Sequence, residues 1–93
     1  MLEKDLERKV VAYAKSKGVL CFKFASPGNR GVPDRILIGP NGKVWFLELK
    51  RPGQKPTALQ LHVIDILRKQ GAHAGWANDL GVAKSVIDHL CAP

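Results

Sequence analysis

The alternation of apolar and polar positions divides the chain into seven predicted elements. Apolar residues recur at helical spacing over residues 2–17, again from 57 to about 70, and a third time after Asp79. Four shorter apolar runs, bounded by glycine, proline or asparagine, are typical of strands and cover residues 19–24, 35–38, 44–49 and 72–77. The predicted order is therefore αβββαβα.

Local signals connect these elements into one domain. The Asn41-Gly42 pair favours a tight turn and predicts a hairpin between the second and third strands. Thr57 and Gln60 form a capping-box pattern where the second helix begins. The alternation of helices and strands, without an internal repeat, predicts an α/β fold in which a mixed sheet is flanked by helices. We expect residues 1–93 to form this single domain.

Composition adds a prediction about the partner. The 93 residues include fifteen Lys and Arg but eight Asp and Glu, which gives a formal net charge of +7. Such a surplus favours a polyanion such as nucleic acid. No apolar run approaches the roughly 18 residues of a transmembrane helix, and the first residues do not resemble a signal peptide. We therefore expect a soluble, cytoplasmic protein without a membrane partner.

Candidate chemistry is concentrated at the ends of the two hairpin strands. Asp34 starts one strand, and Glu48 and Lys50 lie two residues apart near the end of the next, so that both point to the same face. The hairpin would bring Asp34 and Glu48 to its open end. With the backbone carbonyl of Leu49, they would form a hard oxygen site for Mg²⁺, for which Mn²⁺ would substitute. Lys50 would orient a nucleophile or stabilise the transition state.

A simpler interpretation of Glu48 and Lys50 is a solvated strand end or a cross-strand ion pair. The run that contains them is, however, apolar on both faces, as an interior strand is. Charges that end such a strand require a partner or a purpose. Asp34 on the preceding strand supplies one.

These residues resemble a known signature. Pro33-Asp34, followed by thirteen residues and then Glu48-Leu49-Lys50, matches the PD-(D/E)xK pattern of nucleases, and the surrounding sequence resembles the virus-type replication-repair nuclease (VRR-NUC) branch over nearly the whole chain. The resemblance implies a restriction-endonuclease-like core and magnesium-dependent cleavage of DNA in repair or recombination. Stand-alone phage and bacterial members are similar to Holliday junction resolvases, which implies a homodimer that acts on branched DNA in a bacterial or phage-infected cell.

Three further polar residues are candidates for the site. Glu3 and Glu7 share one helix face, so either could reach the metal, but both could simply complement the helix dipole or pair with basic neighbours. The resemblance also assigns these two acids by their spacing to Gly18. Glu3 corresponds to the usual glutamate of VRR-NUC domains, whereas Glu7 corresponds to the position found in archaeal junction resolvases. Gln60 has a capping role of its own, and a function in the site is implied by the resemblance.

Basic and amide side chains on the loops beside the site are candidate DNA contacts, because such groups bind phosphates. They are Lys23, Asn29 and Arg30 before Asp34, and Arg51, Gln54 and Lys55 after Lys50. The remaining lysines are assigned to solvated helix faces, among them Lys4, Lys15 and Lys69.

Two other functions remain open at this point. The first is a DNA-binding module that keeps a nuclease fold without catalysis, although the Asp-Glu-x-Lys set is intact. The second is a nuclease that acts on flaps, single strands or RNA, because phosphate chemistry does not identify the sugar. For the homodimer, the candidate interface is the last strand and helix, with apolar residues Trp76, Leu80, Val82 and Leu90.

Overall fold

The computed structural model describes residues 1–93 and contains seven elements in the predicted order. The helices are α1 (Glu3–Ser16), α2 (Ala58–Lys69) and α3 (Leu80–Cys91). The strands are β1 (Leu20–Lys23), β2 (Arg35–Ile38), β3 (Val44–Leu49) and β4 (His73–Ala77). The predicted α/β fold, a mixed sheet flanked by helices, is confirmed.

The four strands form one sheet in the order β1-β2-β3-β4. β1 pairs with β2 and β2 with β3 in antiparallel fashion, whereas β3 and β4 are parallel and α2 connects them. The predicted hairpin turn is present, and Gly42 adopts a φ of 81° there, a conformation that favours glycine. β3 is thus an interior strand, as its continuous apolar run indicates.

One face of the sheet carries the main core, because α1 and α3 pack together across it. Alternation along β3 points Leu47 and Leu49 towards these helices, with Leu37 of β2 beside them. The helices contribute their own apolar stripes. The core consists of eleven buried residues: Leu6, Val10, Ala14, Val19, Leu37, Leu47, Leu49, Ala77, Ala83, Ile87 and Leu90.

The opposite face is only partly covered. There α2 packs on β4, where Ile64 and Ala74 are buried. No helix packs over β1 and β2 on this side, and Leu20 and Phe22 are 52% and 54% exposed. The register places further apolar side chains next to them on the same face. We call this surface the open apolar face; it consists of Leu20, Phe22, Ile36, Ile38 and Phe46.

The predicted location of a homodimer interface needs correction. Leu90 is fully buried in the core of the single chain, because α3 turns its apolar stripe towards the sheet and α1. Its assignment to an interface is wrong. Trp76 and Leu80 are partly buried, and Val82 is the exposed member of the set. The exposed apolar residues of the sheet lie instead on the open apolar face.

None of the three helices combines the length and apolar character needed to span a bilayer.

Candidate active site

Asp34 lies where the chain enters β2 and is held against the end of β3. Its Oδ1 accepts a hydrogen bond from the backbone N–H of Leu49 at 3.2 Å. Its backbone carbonyl accepts one from the N–H of Phe24 at 2.8 Å. Burial raises the pKa of the Asp34 carboxyl above its usual value, and the N–H of Leu49 opposes that shift. The hairpin therefore brings Asp34 to the open end of the sheet, as predicted.

The loop that leads to Asp34 is anchored on α2. Gly31 has a φ of 86°, and a Cβ built there would lie 2.8 Å from Cγ of Leu59. Both the backbone conformation and the close approach require glycine at this position. The contact fixes the path of the loop just before the catalytic candidate Asp34.

Glu48 is the buried acid of the site, with 5% of its surface exposed. Burial, and next the charge of Asp34, raise its pKa to about 7, while the ammonium of Lys50 counteracts the shift. The Lys50 Nζ lies 3.7 Å from Glu48 Oε2. The sheet thus places two carboxyl groups close enough to repel each other, with one amine beside them, in a partly dehydrated setting.

Gln60 makes both contacts that the sequence left as alternatives. Its Oε1 accepts a hydrogen bond from the backbone N–H of Thr57 at 2.9 Å, and Thr57 Oγ1 accepts one from the N–H of Gln60 at 3.2 Å. Its Nε2 lies 3.5 Å from Glu48 Oε2, at the limit of a hydrogen bond. The capping box of α2 therefore also orients the Gln60 amide towards Glu48.

The two acids of α1 lie near different members of the site. The charge of Glu3 raises the pKa of Glu48, and that of Glu7 raises the pKa of Asp34, in both cases after burial as the main cause. Glu7 forms a salt bridge with Arg35, whereas Glu3 is exposed and forms none. Glu7 is therefore committed to Arg35, whereas Glu3 has no salt-bridge partner.

Arg35 is a further charged residue near the site that the motifs in the sequence do not indicate. It is 8% exposed, and its NH2 group donates a hydrogen bond to Glu7 Oε1. The sequence does contain a signal for it, since Arg35 is a charged residue within the apolar run 35–38. A buried guanidinium requires an acid nearby, so this position predicts an acidic partner. The partner of Glu7 is therefore a strand residue, not a basic neighbour on its own helix.

The candidate DNA contacts lie in three places on the surface. Lys23 on β1 is exposed and lines a cavity of about 290 Å³ between α1 and the sheet, together with Arg35. Asn29 and Arg30 line a separate groove of about 620 Å³ between their loop and α2. The other three candidates are exposed on the loop between β3 and α2: Arg51, Gln54 and Lys55.

No group of three or more His, Cys, Asp and Glu side chains is arranged to hold a metal ion. The closest approach to such a site is the pair Asp34 and Glu48, next to the backbone of Leu49. Side-chain donors alone would therefore leave most positions around a cation to water, carbonyl groups or substrate.

No family model matches the chain. The chain is 49% identical over 59 residues to "Putative nuclease p44" of Acyrthosiphon pisum secondary endosymbiont phage 1, and the match covers 63% of this chain and 63% of that protein. The match thus spans less than two thirds of the relative.

Two solved structures cover the chain more fully. One, described as "VRR_NUC domain", has a TM-score of 0.84 at 28% identity and covers 94% of this chain and 95% of its own. A second, described as "VRR_NUC domain protein", has a TM-score of 0.71 at 22% identity, and the match covers 95% of this chain and 86% of that chain. At its level of identity, the second structure is informative about the fold alone.

Proposed function

We propose that this chain is a metal-dependent nuclease of the VRR-NUC family that hydrolyses phosphodiester bonds in DNA, a proposal supported by its likeness to a VRR-NUC domain structure and to a phage nuclease. The observation that carries the proposal is the pair of mutually repelling carboxyl groups of Asp34 and Glu48, with the Lys50 amine 3.7 Å from Glu48. A fold does not need such a pair for its stability, since each acid is partly dehydrated beside the other. A site that binds a cation and a phosphate group, in contrast, does need such a pair.

The donors at this site fit a hard divalent cation. Asp34 and Glu48 supply carboxylate oxygens, and the backbone carbonyl of Leu49 is the third proposed oxygen. Mg²⁺ typically uses one or two protein carboxylates and retains several waters, so a set without a third acid suits it. When bound, such an ion lowers the pKa of a water molecule and neutralises charge on the phosphate. We assign Mg²⁺ to this site, with Mn²⁺ as a substitute.

The side chains around the acids have distinct proposed roles. Hydrolysis joins a water oxygen to phosphorus and breaks one ester P–O bond, so negative charge accumulates on the phosphoryl oxygens. The Lys50 ammonium stabilises that charge, because a fixed cation is most effective where charge develops. Gln60 holds Glu48 in position with its amide, and Thr57 in turn fixes that amide.

Of the two acids on α1, we assign Glu3 to the site and Glu7 to a supporting role. Glu7 is committed to the salt bridge with Arg35, which a buried guanidinium requires. Glu3 forms no salt bridge, and its charge acts on Glu48. Glu3 is therefore available to accept a hydrogen bond from a metal-bound water molecule or from a group of the substrate.

DNA recognition in this proposal depends on the backbone. The candidate contacts that flank the site are mainly Lys and Arg on two loops and one strand, and such side chains bind phosphates without selecting a base sequence. We propose that the enzyme selects the shape of DNA and prefers branched intermediates of repair and recombination. Its cleavage would be endonucleolytic and similar to that of a Holliday junction resolvase.

We also propose that the active form is a homodimer that buries the open apolar face. Contiguous exposed apolar surface commonly marks a protein interface. A second copy of the chain offers the same face, and a twofold interface pairs such a patch with itself. Two sites in one particle would engage two strands of a four-way junction, and simultaneous binding raises affinity above that of one subunit.

A cleavage panel tests the activity. Four-way junction, flap, linear duplex and single-stranded DNA, and the matching RNA, would be incubated with Mg²⁺, with Mn²⁺ and with EDTA. We expect internal cleavage of DNA in either metal, fastest on the junction, and none in EDTA. Full activity in EDTA would contradict the metal site, and equal rates on junction and duplex would contradict the preference for branched DNA. Cleavage of RNA alone would replace DNA as the substrate.

A further inference from the structure

A basic cavity lies on the other side of the sheet from Glu48. It has a volume of about 290 Å³ and is formed between α1 and strands β1 and β2. Four of its six lining residues are basic; the full lining is Lys4, Glu7, Arg8, Val11, Lys23 and Arg35. This volume is near the lower limit of roughly 300 Å³ for pockets that hold whole small molecules, so it suits a small anionic group.

The cations in this basic cavity are only partly compensated. Glu7 pairs with Arg35, and Asp5 pairs with Arg8 at 2.6 Å. Lys4 and Lys23 form no salt bridge. Two of the four basic groups are therefore without an acidic partner.

The strand register adds a second observation. Lys23 of β1 and Arg35 of β2 are directly opposite each other in the antiparallel pair. Like charges in this position destabilise a sheet. Moreover, the Nε of Arg35 is buried and has no hydrogen-bond partner, although a buried donor without an acceptor is costly. An anion between the two side chains would relieve the repulsion.

We propose that the basic cavity binds a backbone phosphate of the DNA, at a position separate from the phosphate that is cleaved. Lys4 and Lys23 supply the uncompensated charge, and Arg35 forms the buried wall. The cavity is adjacent to the active site, since Arg35 follows Asp34 in the chain and the charge of Glu7 acts on Asp34. A phosphate held here would fix the register of the strand relative to the carboxyl pair. The identity of this ligand rests on the proposed function.

Inorganic phosphate tests the site without DNA or cleavage. The melting temperature of the wild type would be followed in increasing phosphate, against chloride at equal ionic strength. We expect phosphate to raise it above the chloride value, because a ligand that binds the folded state stabilises that state. The exposed double variant Lys4→Ala/Lys23→Ala should lose this increment. The matched control, Lys9→Ala/Lys15→Ala, loses the same charge from exposed helix positions that form no salt bridge and lie outside the cavity lining, and it should retain the increment.

The salt dependence of DNA binding then identifies the ligand as DNA. Affinity for a four-way junction would be measured across salt concentrations in the Glu48→Gln background, which leaves the DNA uncut. Loss of one phosphate contact should reduce the slope of log K against log salt by about 0.9 in the Lys4→Ala/Lys23→Ala variant. The Lys9→Ala/Lys15→Ala control should keep the original slope.

The outcomes separate this site from the proposed function. An equal slope for both double variants would overturn the assignment to DNA, even if free phosphate bound. An absence of phosphate-specific stabilisation would overturn the anion site itself. If both effects appear but the wild type cuts no nucleic acid in any metal, the phosphate site stands and the nuclease proposal fails.

Discussion

The two faces of the sheet differ in what they bury. The face under α1 and α3 holds the eleven-residue core, and its one buried charged residue, Arg35, has an acid as partner. The opposite face is covered by α2 along β4 and at the end of β3, where Gln60 reaches Glu48, and this buried acid has a second acid as its neighbour. The first face thus packs the core and pairs its buried guanidinium, although the Arg35 Nε has no acceptor, whereas the second face retains two neighbouring acids and exposed apolar surface that a metal, DNA or a second subunit would satisfy.

The largest expected effect concerns the acid pair. Asp34→Asn and Glu48→Gln should each reduce cleavage by more than about 10³-fold, the scale on which single catalytic groups act. A neutral amide binds a hard cation poorly. Rates would be measured on a junction in Mg²⁺ and Mn²⁺, with circular dichroism as the control for folding. A folded Glu48→Gln variant that cuts at the wild-type rate would remove Glu48 from the site.

Lys50 comes next, because the proposed mechanism assigns it to the chemistry and not to binding. Lys50→Ala should lower the single-turnover rate by about 10²- to 10³-fold, as does removal of one group that stabilises the transition state. DNA affinity should change little, since many other basic contacts remain. Lys50→Arg serves as the control, because it keeps the positive charge but replaces the amine with a guanidinium of different geometry. A large loss of affinity at an unchanged rate would make Lys50 a binding residue.

A third effect is the pH dependence of stability in the metal-free protein. Folding raises the pKa of Glu48 from 4.5 to about 7, so the folded state binds the proton more tightly than the unfolded chain does. This contribution is fully present below pH 4.5 and is lost as the pH rises through 7. The loss is on the order of 3 kcal/mol at most, from 1.36 kcal/mol per pKa unit.

Denaturant unfolding in EDTA between pH 4 and 8 would measure this change. Glu48→Gln cannot ionise, so its stability should fall less over this range and exceed that of the wild type at pH 8. Identical pH profiles for the two proteins would show that Glu48 does not carry the destabilising charge.

The smallest expected effect on the stability of the folded subunit comes from a substitution on the open apolar face. Phe22→Ser should lower the free energy of unfolding of the monomer by about 1 kcal/mol, because the side chain is only half buried. It should nevertheless shift a dimer towards monomer in sedimentation at micromolar concentration. Leu37→Ala, on the covered face, is the contrasting variant and should cost about 2–5 kcal/mol. A wild-type protein that sediments as a monomer would contradict the dimer.

Periodicity predicted the fold well, because each element carries its own signal. β2 and β3 have the predicted bounds, and the capping box at Thr57 starts α2 where expected. The Asn41-Gly42 turn sets the hairpin that brings Asp34 to the N–H of Leu49. Leu90 was placed incorrectly because an apolar stripe on a helix shows only that the helix packs on something. Whether that surface is the chain's own sheet or another subunit depends on the packing of α1 and α3.

By itself, the sequence determined the order of the elements and the grouping of Asp34, Glu48 and Lys50, since these follow from short-range spacing and the period of a strand. Only the tertiary structure decided which acid of α1 is free and which is paired, because Glu7 and Arg35 are 28 positions apart in the chain. It also decided that Lys4, Lys23 and Arg35 surround one cavity and that β1 and β2 leave an apolar face uncovered. These features depend on how helices pack across the sheet, a long-range property that no local pattern encodes.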